Sequence, residues 1–137
     1  MKIGVGGSMQ HIEKILDIAE KLRAQGHDVF TPQNPDRYIG KTDDEKEVVK
    51  LDEKYNNDAI REFWKPMQEA DALVVANYDK NGAKNYIGGN AFLEMGFAHV
   101  LGLKIYLMNP IPENPYYGTE IIAMRPTVLN GDLAKIT

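Results

Sequence analysis

A short apolar run from Lys2 to Val5 stops at Gly6-Gly7. Ile12, Ile15, Leu16, Ala19 and Leu22 then recur at helical spacing, with charged residues on the other faces, until Gly26. A second short run, His27 to Thr31, ends at Pro32. This order predicts strand, helix, strand within about thirty residues, with Ser8 as helix cap and Gly26 as the residue beyond the helix. A strand, a crossover helix and a second strand favour a parallel pair with a right-handed connection.

The rest of the chain keeps the alternation. Gln33 to Lys41 reads as a loop, and Thr42-Asp43-Asp44-Glu45 is a capping box. One long helix is expected after it, with Val48, Leu51, Tyr55, Ala59, Ile60, Phe63, Trp64 and Met67 near one side. Pro66 should kink it or end it early, and its many charges read as a solvated face. Asp71 to Asn77 reads as a third strand buried on both faces. A polar loop runs to Gly89, a helix from about Asn90 to Leu101, and a fourth strand from Leu103 to Met108. A Pro-rich loop, a short helix over Tyr116 to Met124 and a fifth strand at Thr127 to Leu129 complete the pattern. The expectation is one α/β domain over residues 1–137. It is a three-layer sandwich with a mainly parallel, roughly five-stranded, Rossmann/flavodoxin-like sheet. Ligands of such sheets bind beyond the carboxyl ends of the strands, so function is expected in the loops after strands one, three and four.

Composition narrows the chemistry. The 137 residues hold no cysteine, which excludes disulfides, thiolate metal sites and cysteine nucleophiles. The net charge of -4 gives no basic field for nucleic acid. No apolar run is long enough for a membrane span. The start of the chain lacks the apolar stretch of a signal peptide, so a cytoplasmic protein is expected. His11, His27 and His99 have no metal-ligand spacing. No metal and no cofactor are predicted.

Gly4-Val5-Gly6-Gly7-Ser8-Met9 stands at a strand-to-helix turn, where glycines admit a ligand to the backbone and a helix N-terminus offers N–H groups to an anion. Met9 replaces the third glycine of a dinucleotide fingerprint, and no Walker lysine follows. Glu94 is the only formally charged residue between Lys84 and Lys104. Its helical neighbours Ala91, Phe97 and Ala98 are apolar. Burial should raise its pKa, and the helix N-terminus should lower it. An ionised carboxylate beside apolar walls suits a nucleophile or base, and a structural glutamate bonded to a nearby turn is the equal alternative. Asp71 opens strand three, about 20 Å from the crevice end, and reads as a cap or salt-bridge partner. Asn77, Tyr78 and Asp79 lie at the correct end. Asn77 could bind sugar hydroxyls and Asp79 could serve as an acid, or both could satisfy their own loop.

Three segments carry a resemblance: Gly7-Ser8-Met9 with Gly26-His27-Asp28-Val29-Phe30, then Ala70 to Asn77, and above all Gly88-Gly89-Asn90-Ala91-Phe92-Leu93-Glu94-Met95-Gly96-Phe97-Ala98. Together they resemble the nucleoside 2-deoxyribosyltransferase-like family over nearly the whole chain. Asn85 to Asn90 and Asn109 to Pro112 look like a little-characterised microbial branch of it. The resemblance implies exchange or cleavage of an N-glycosidic bond, with Glu94 as nucleophile. It implies a small nucleoside or nucleotide as ligand; the charge and the lack of a long apolar run already argue for no nucleic acid and no membrane partner. It also implies a homodimer or higher homo-oligomer in which a neighbouring chain completes the pocket, a part the Tyr116-Tyr117 segment could play. Gly6, Gly7, Ser8, Met9, Asn77, Tyr86, Gly88, Gly89, Asn90 and Asn109 are the expected substrate-binding residues. The leaving-group acid is open among Asp58, Asp79 and Tyr86. Members that act on monophosphates carry an arginine after the first Gly-Ser turn, where this chain has Gln10 and His11. The alternative function is a non-catalytic nucleotide-binding or sensing domain on the same fold.

Overall fold

The computed structural model describes all 137 residues. Five strands form one all-parallel sheet: β1 (Lys2–Gly7), β2 (Asp28–Phe30), β3 (Ala72–Ala76), β4 (Lys104–Leu107) and β5 (Thr127–Val128). Their order is β2-β1-β3-β4-β5, which is flavodoxin-like. The chain reverses direction across the sheet between β1 and β3, so a crevice opens beyond their carboxyl ends. Helices α1 (Ile12–Ala24), α2 (Asp43–Asn56), α3 (Ala59–Met67), α4 (Gly89–Val100) and α5 (Gly118–Ala123) complete the chain's regular structure.

The alternation of β3 divides the core into two layers. Ala72, Val74 and Ala76 pack with the apolar stripe of α1 and with Leu129, Leu133 and Ile136. Leu73 and Val75 pack on the other face with Phe63 and Met67 of α3, Ala91, Met95 and Ala98 of α4, and Ile121 of α5. Every residue of β3 is buried, as a strand covered on both faces requires. Asp71, just before it, accepts a hydrogen bond from the Lys2 amide at 2.8 Å, far from the crevice.

Three local expectations change. Ser8 precedes a 3-10 turn at Met9–His11 and its side chain caps nothing; α1 begins only at Ile12. The single long helix is two. Asp58 adopts a left-handed conformation (φ 49°) and caps α3, so the chain turns between Asn56 and Ala59. Pro66 then sits next to the last residue of α3.

The third change bears on function. The charges of α2 do not all face solvent. Lys46 is buried; its Nζ donates to Glu13 Oε2 at 2.9 Å and to the Gln10 carbonyl at 3.2 Å. Glu53 is 1% exposed, whereas the apolar Val48 and Tyr55 are 70% and 78% exposed. Lys46, Lys50, Glu53 and Lys54 recur at helical spacing on one inward stripe. This helix covers a polar crevice rather than an apolar core, so its ordinary amphipathic sense is reversed.

Candidate active site

The crevice holds two small adjoining hollows that share Gly7, Met9, Lys50, Lys54 and Asn90. Glu94 forms part of the first. It lies in the second turn of α4 and points down onto β1. A Cβ at Gly6 would collide with Glu94 Oε2, so only glycine there lets the carboxylate rest on the strand. Asn90 Nδ2 donates to Glu94 Oε1 at 3.3 Å. Oε2 is buried and has no partner.

The electrostatics differ from the expectation of a carboxylate held ionised. Burial pushes the Glu94 pKa up to about 8, with the Lys54 ammonium pulling in the opposite direction. The helix N-terminus offsets little of this, because its effect fades within the first turn and Glu94 lies beyond it. Glu94 is therefore mostly protonated at neutral pH in the free protein.

Glu53 is the second carboxylate in the first hollow. Gln33 Nε2 donates to its Oε2 at 2.7 Å, Asn34 Nδ2 to its Oε1 at 3.1 Å, and Arg37 pairs with Oε1. Burial raises its pKa, but these partners, Arg37 foremost, bring it below the usual glutamate value. Both of its oxygens are occupied by protein donors. Glu53 thus ties the loop after β2 to α2 and fixes the helix over the crevice. Tyr38 stands beside it, buried, its phenol pushed up to about 12 chiefly by burial and then by the Glu53 charge.

The residues expected from sequence divide three ways. Gly7, Ser8, Met9, Tyr86, Gly88, Gly89 and Asn90 line the crevice, and Gly6 underlies Glu94. Asn77 and Asn109 instead clip two strand ends together. Asn77 Nδ2 donates to the Asn109 carbonyl at 2.9 Å, the Asn109 amide donates to Asn77 Oδ1 at 2.9 Å, and Asn109 Nδ2 donates to the Asn77 carbonyl at 3.1 Å. Asn77 is wholly buried and has no group left for a sugar. Asp79 and Asp58 are not brought to Glu94. Asp79 accepts from the Asn85 amide at 2.9 Å in a separate shallow hollow. Asp58 pairs with Arg61 at 2.6 Å, beside Trp64 and Phe97. Tyr117 is spent within its own chain: it stacks on Phe92 at 4.4 Å and donates to the Ile87 carbonyl at 2.6 Å, bracing the approach to α4, while Tyr116 stays exposed.

No family model and no curated protein matches the chain. Among solved structures it is similar to the Clostridium botulinum CMP N-glycosidase BcmB. The identity is 20%, the match covers 93% of this chain and 84% of that one, and the TM-score is 0.49. It is a distant likeness.

Lys50, Lys54, Lys80, Glu53 and Tyr38 are among the crevice residues that the sequence did not single out. The signal available was the spacing of 46, 50, 53 and 54, which places four polar residues on one helix face. Two substitutions test the geometry. Gly6→Ala should displace the Glu94 carboxylate and lower any Glu94-dependent activity by roughly 100-fold, the scale of an ångström's misplacement, while circular dichroism stays native. Asn77→Ala strands the Asn109 amide and should cost about 2–3 kcal/mol in urea unfolding.

Proposed function

We propose that this chain cleaves or transfers the N-glycosidic bond of a nucleoside or nucleotide, with Glu94 as nucleophile, as a member of the nucleoside 2-deoxyribosyltransferase-like family. The observation that carries the reading is the Glu94 carboxylate: buried, seated on Gly6 at the crevice, with one oxygen that has no hydrogen-bond partner. A buried carboxylate oxygen without a partner is costly to keep for structure alone. The ionised Glu94 attacks the anomeric carbon as the bond to the base breaks, through a transition state with oxocarbenium character. The base leaves with the bonding electron pair and takes up a proton. Water then attacks the same carbon, the ester to Glu94 breaks, and the carboxylate returns with release of the sugar and a proton. In transfer, a nitrogen of a second base replaces the water.

The protonation state of Glu94 gives this chemistry a pH signature. With a free-protein pKa of about 8, kcat/KM for a nucleophilic Glu94 should rise about tenfold per pH unit below that value and level off above it. A glutamate acting as general acid would give the opposite slope. The assay measures free-base release from nucleosides, deoxynucleosides and their 5′-monophosphates, with and without a second base. Release that rises with pH supports the reading. No release from any substrate, with ligands still raising the melting temperature, would make the chain a binding or sensing domain.

A further inference from the structure

The ionisable groups that line the first hollow are Tyr38, Lys50, Glu53, Lys54 and Glu94. Three of them are already engaged or neutral. Glu53 pairs with Arg37 and accepts from Gln33 and Asn34. Lys50 pairs with Glu47 at 2.7 Å. Tyr38 is uncharged, its phenol pushed up to about 12. The other elements around Glu94 bring no charge: β1 and α3 contribute Gly7, Ala59 and Phe63 to the hollow, and α4 contributes Asn90. Lys80, from the loop after β3, lines only the second hollow, with its ammonium 4.9 Å from the Tyr86 ring.

One cation and one carboxylate are left. No ion pair of the chain involves Lys54. Glu94 Oε2 is buried and has no partner. The two residues face one hollow without touching, so they act on each other through space. A single opposite charge in a half-dry site favours the ionised form of a carboxylate, because little water screens it. The Lys54 ammonium is the charge that opposes the effect of burial on Glu94. Glu94 in turn helps to keep Lys54 charged, against burial and the repulsion of Lys50.

The place of Lys54 is fixed from the other side of α2. It follows Glu53 directly, and Glu53 is tied to the loop after β2 by Gln33, Asn34 and Arg37. Those bonds hold the last turn of α2 over the crevice and with it the Lys54 backbone. We infer that Lys54 is a positioning residue for Glu94: held over the crevice by the Glu53 anchor, its ammonium supplies the charge under which the carboxylate ionises, and so sets the pH range in which that carboxylate can attack. The role in attack rests on the glycosidic reading; the pairing of the two charges does not.

Carboxyl-carbon NMR of glutamate-labelled protein reads the pairing without turnover. The Glu94 signal is the one missing from the Glu94→Gln protein. Its midpoint should stand at about 8 in the native chain. In Lys54→Gln it should rise by roughly one pH unit or more, the lower end of the range for a neighbouring opposite charge. Lys54→Arg keeps the charge and should bring the midpoint back close to the native value. Lys50→Gln, which removes a charge already matched by Glu47, should move it much less. Activity gives the second readout: the acid limb of kcat/KM in Lys54→Gln should move up with the midpoint, whereas a merely structural lysine would lower the rate equally at every pH. An unmoved midpoint in Lys54→Gln, or an equal rise in Lys50→Gln, overturns the inference. A moved midpoint with an unmoved limb overturns the role in attack. A moved midpoint in a protein that releases no base keeps the pairing and removes the glycosidic reading. Base release with an unmoved midpoint does the reverse.

Discussion

Glu94→Gln is expected to lower base release by roughly 10⁴-fold, the scale at which losing a nucleophile leaves only binding and electrostatics. Glutamine keeps the shape of the side chain on Gly6 and the Asn90 contact within reach. Its amide cannot form and then release a glycosyl ester. The expected split is informative: substrate should still bind, so kcat falls far more than KM changes. An equal rate in the variant would remove Glu94 from the chemistry. A large rise in KM with kcat intact would make it a binding residue.

The same substitution should stabilise the fold as pH rises. The Glu94 pKa stands at about 8 in the folded protein against an ordinary glutamate value of 4.5. Below pH 4.5 both folded and unfolded chains hold the proton and no penalty arises. Between the two values the unfolded chain releases the proton and the folded chain keeps it, so stability falls by about 1.4 kcal/mol per pH unit. Above the folded value both are ionised and the full penalty remains, with a ceiling of about 5 kcal/mol. Glutamine does not titrate. Urea unfolding of the two proteins from pH 4.5 to about 8 should therefore diverge steadily, with the variant ahead on the alkaline side. Parallel curves would mean that Glu94 is not buried as described. Destabilisation of this kind, centred on one carboxylate, is what a site retained for chemistry exhibits.

The fold is legible in the sequence because its signals are local. The glycine pairs that end β1 and open α4, the β-branched run of β3 and the capping box at Thr42 each act within a few residues. Glu94 stands out for a related reason: a lone charge among apolar helical neighbours must face something unusual. The break between α2 and α3 is hidden because Asn56-Asn57-Asp58 carries no glycine or proline, and Asp58 adopts the left-handed turn by itself. The Asn77–Asn109 clip joins residues 32 apart, which no window on the sequence can see. Lysines on a helix ordinarily mean solvent. Here Glu53, bound by Gln33, Asn34 and Arg37, pins α2 over the crevice and turns Lys50 and Lys54 inward, so tertiary structure sets the direction of these side chains. Asp58 and Asp79 qualify as acids by their place in the chain, and each is spent on its own neighbour.

A nucleophilic Glu94 carries the glycosyl group as an ester during turnover, and mass spectrometry detects that ester. A substrate that releases base is mixed with the protein at a pH above about 8, where Glu94 is ionised. The mixture is quenched in acid within milliseconds to seconds, digested and mapped. A glycosyl adduct is expected on the peptide that contains Glu94, and none on the Glu94→Gln protein. Rapid base release with the adduct on another residue would contradict it.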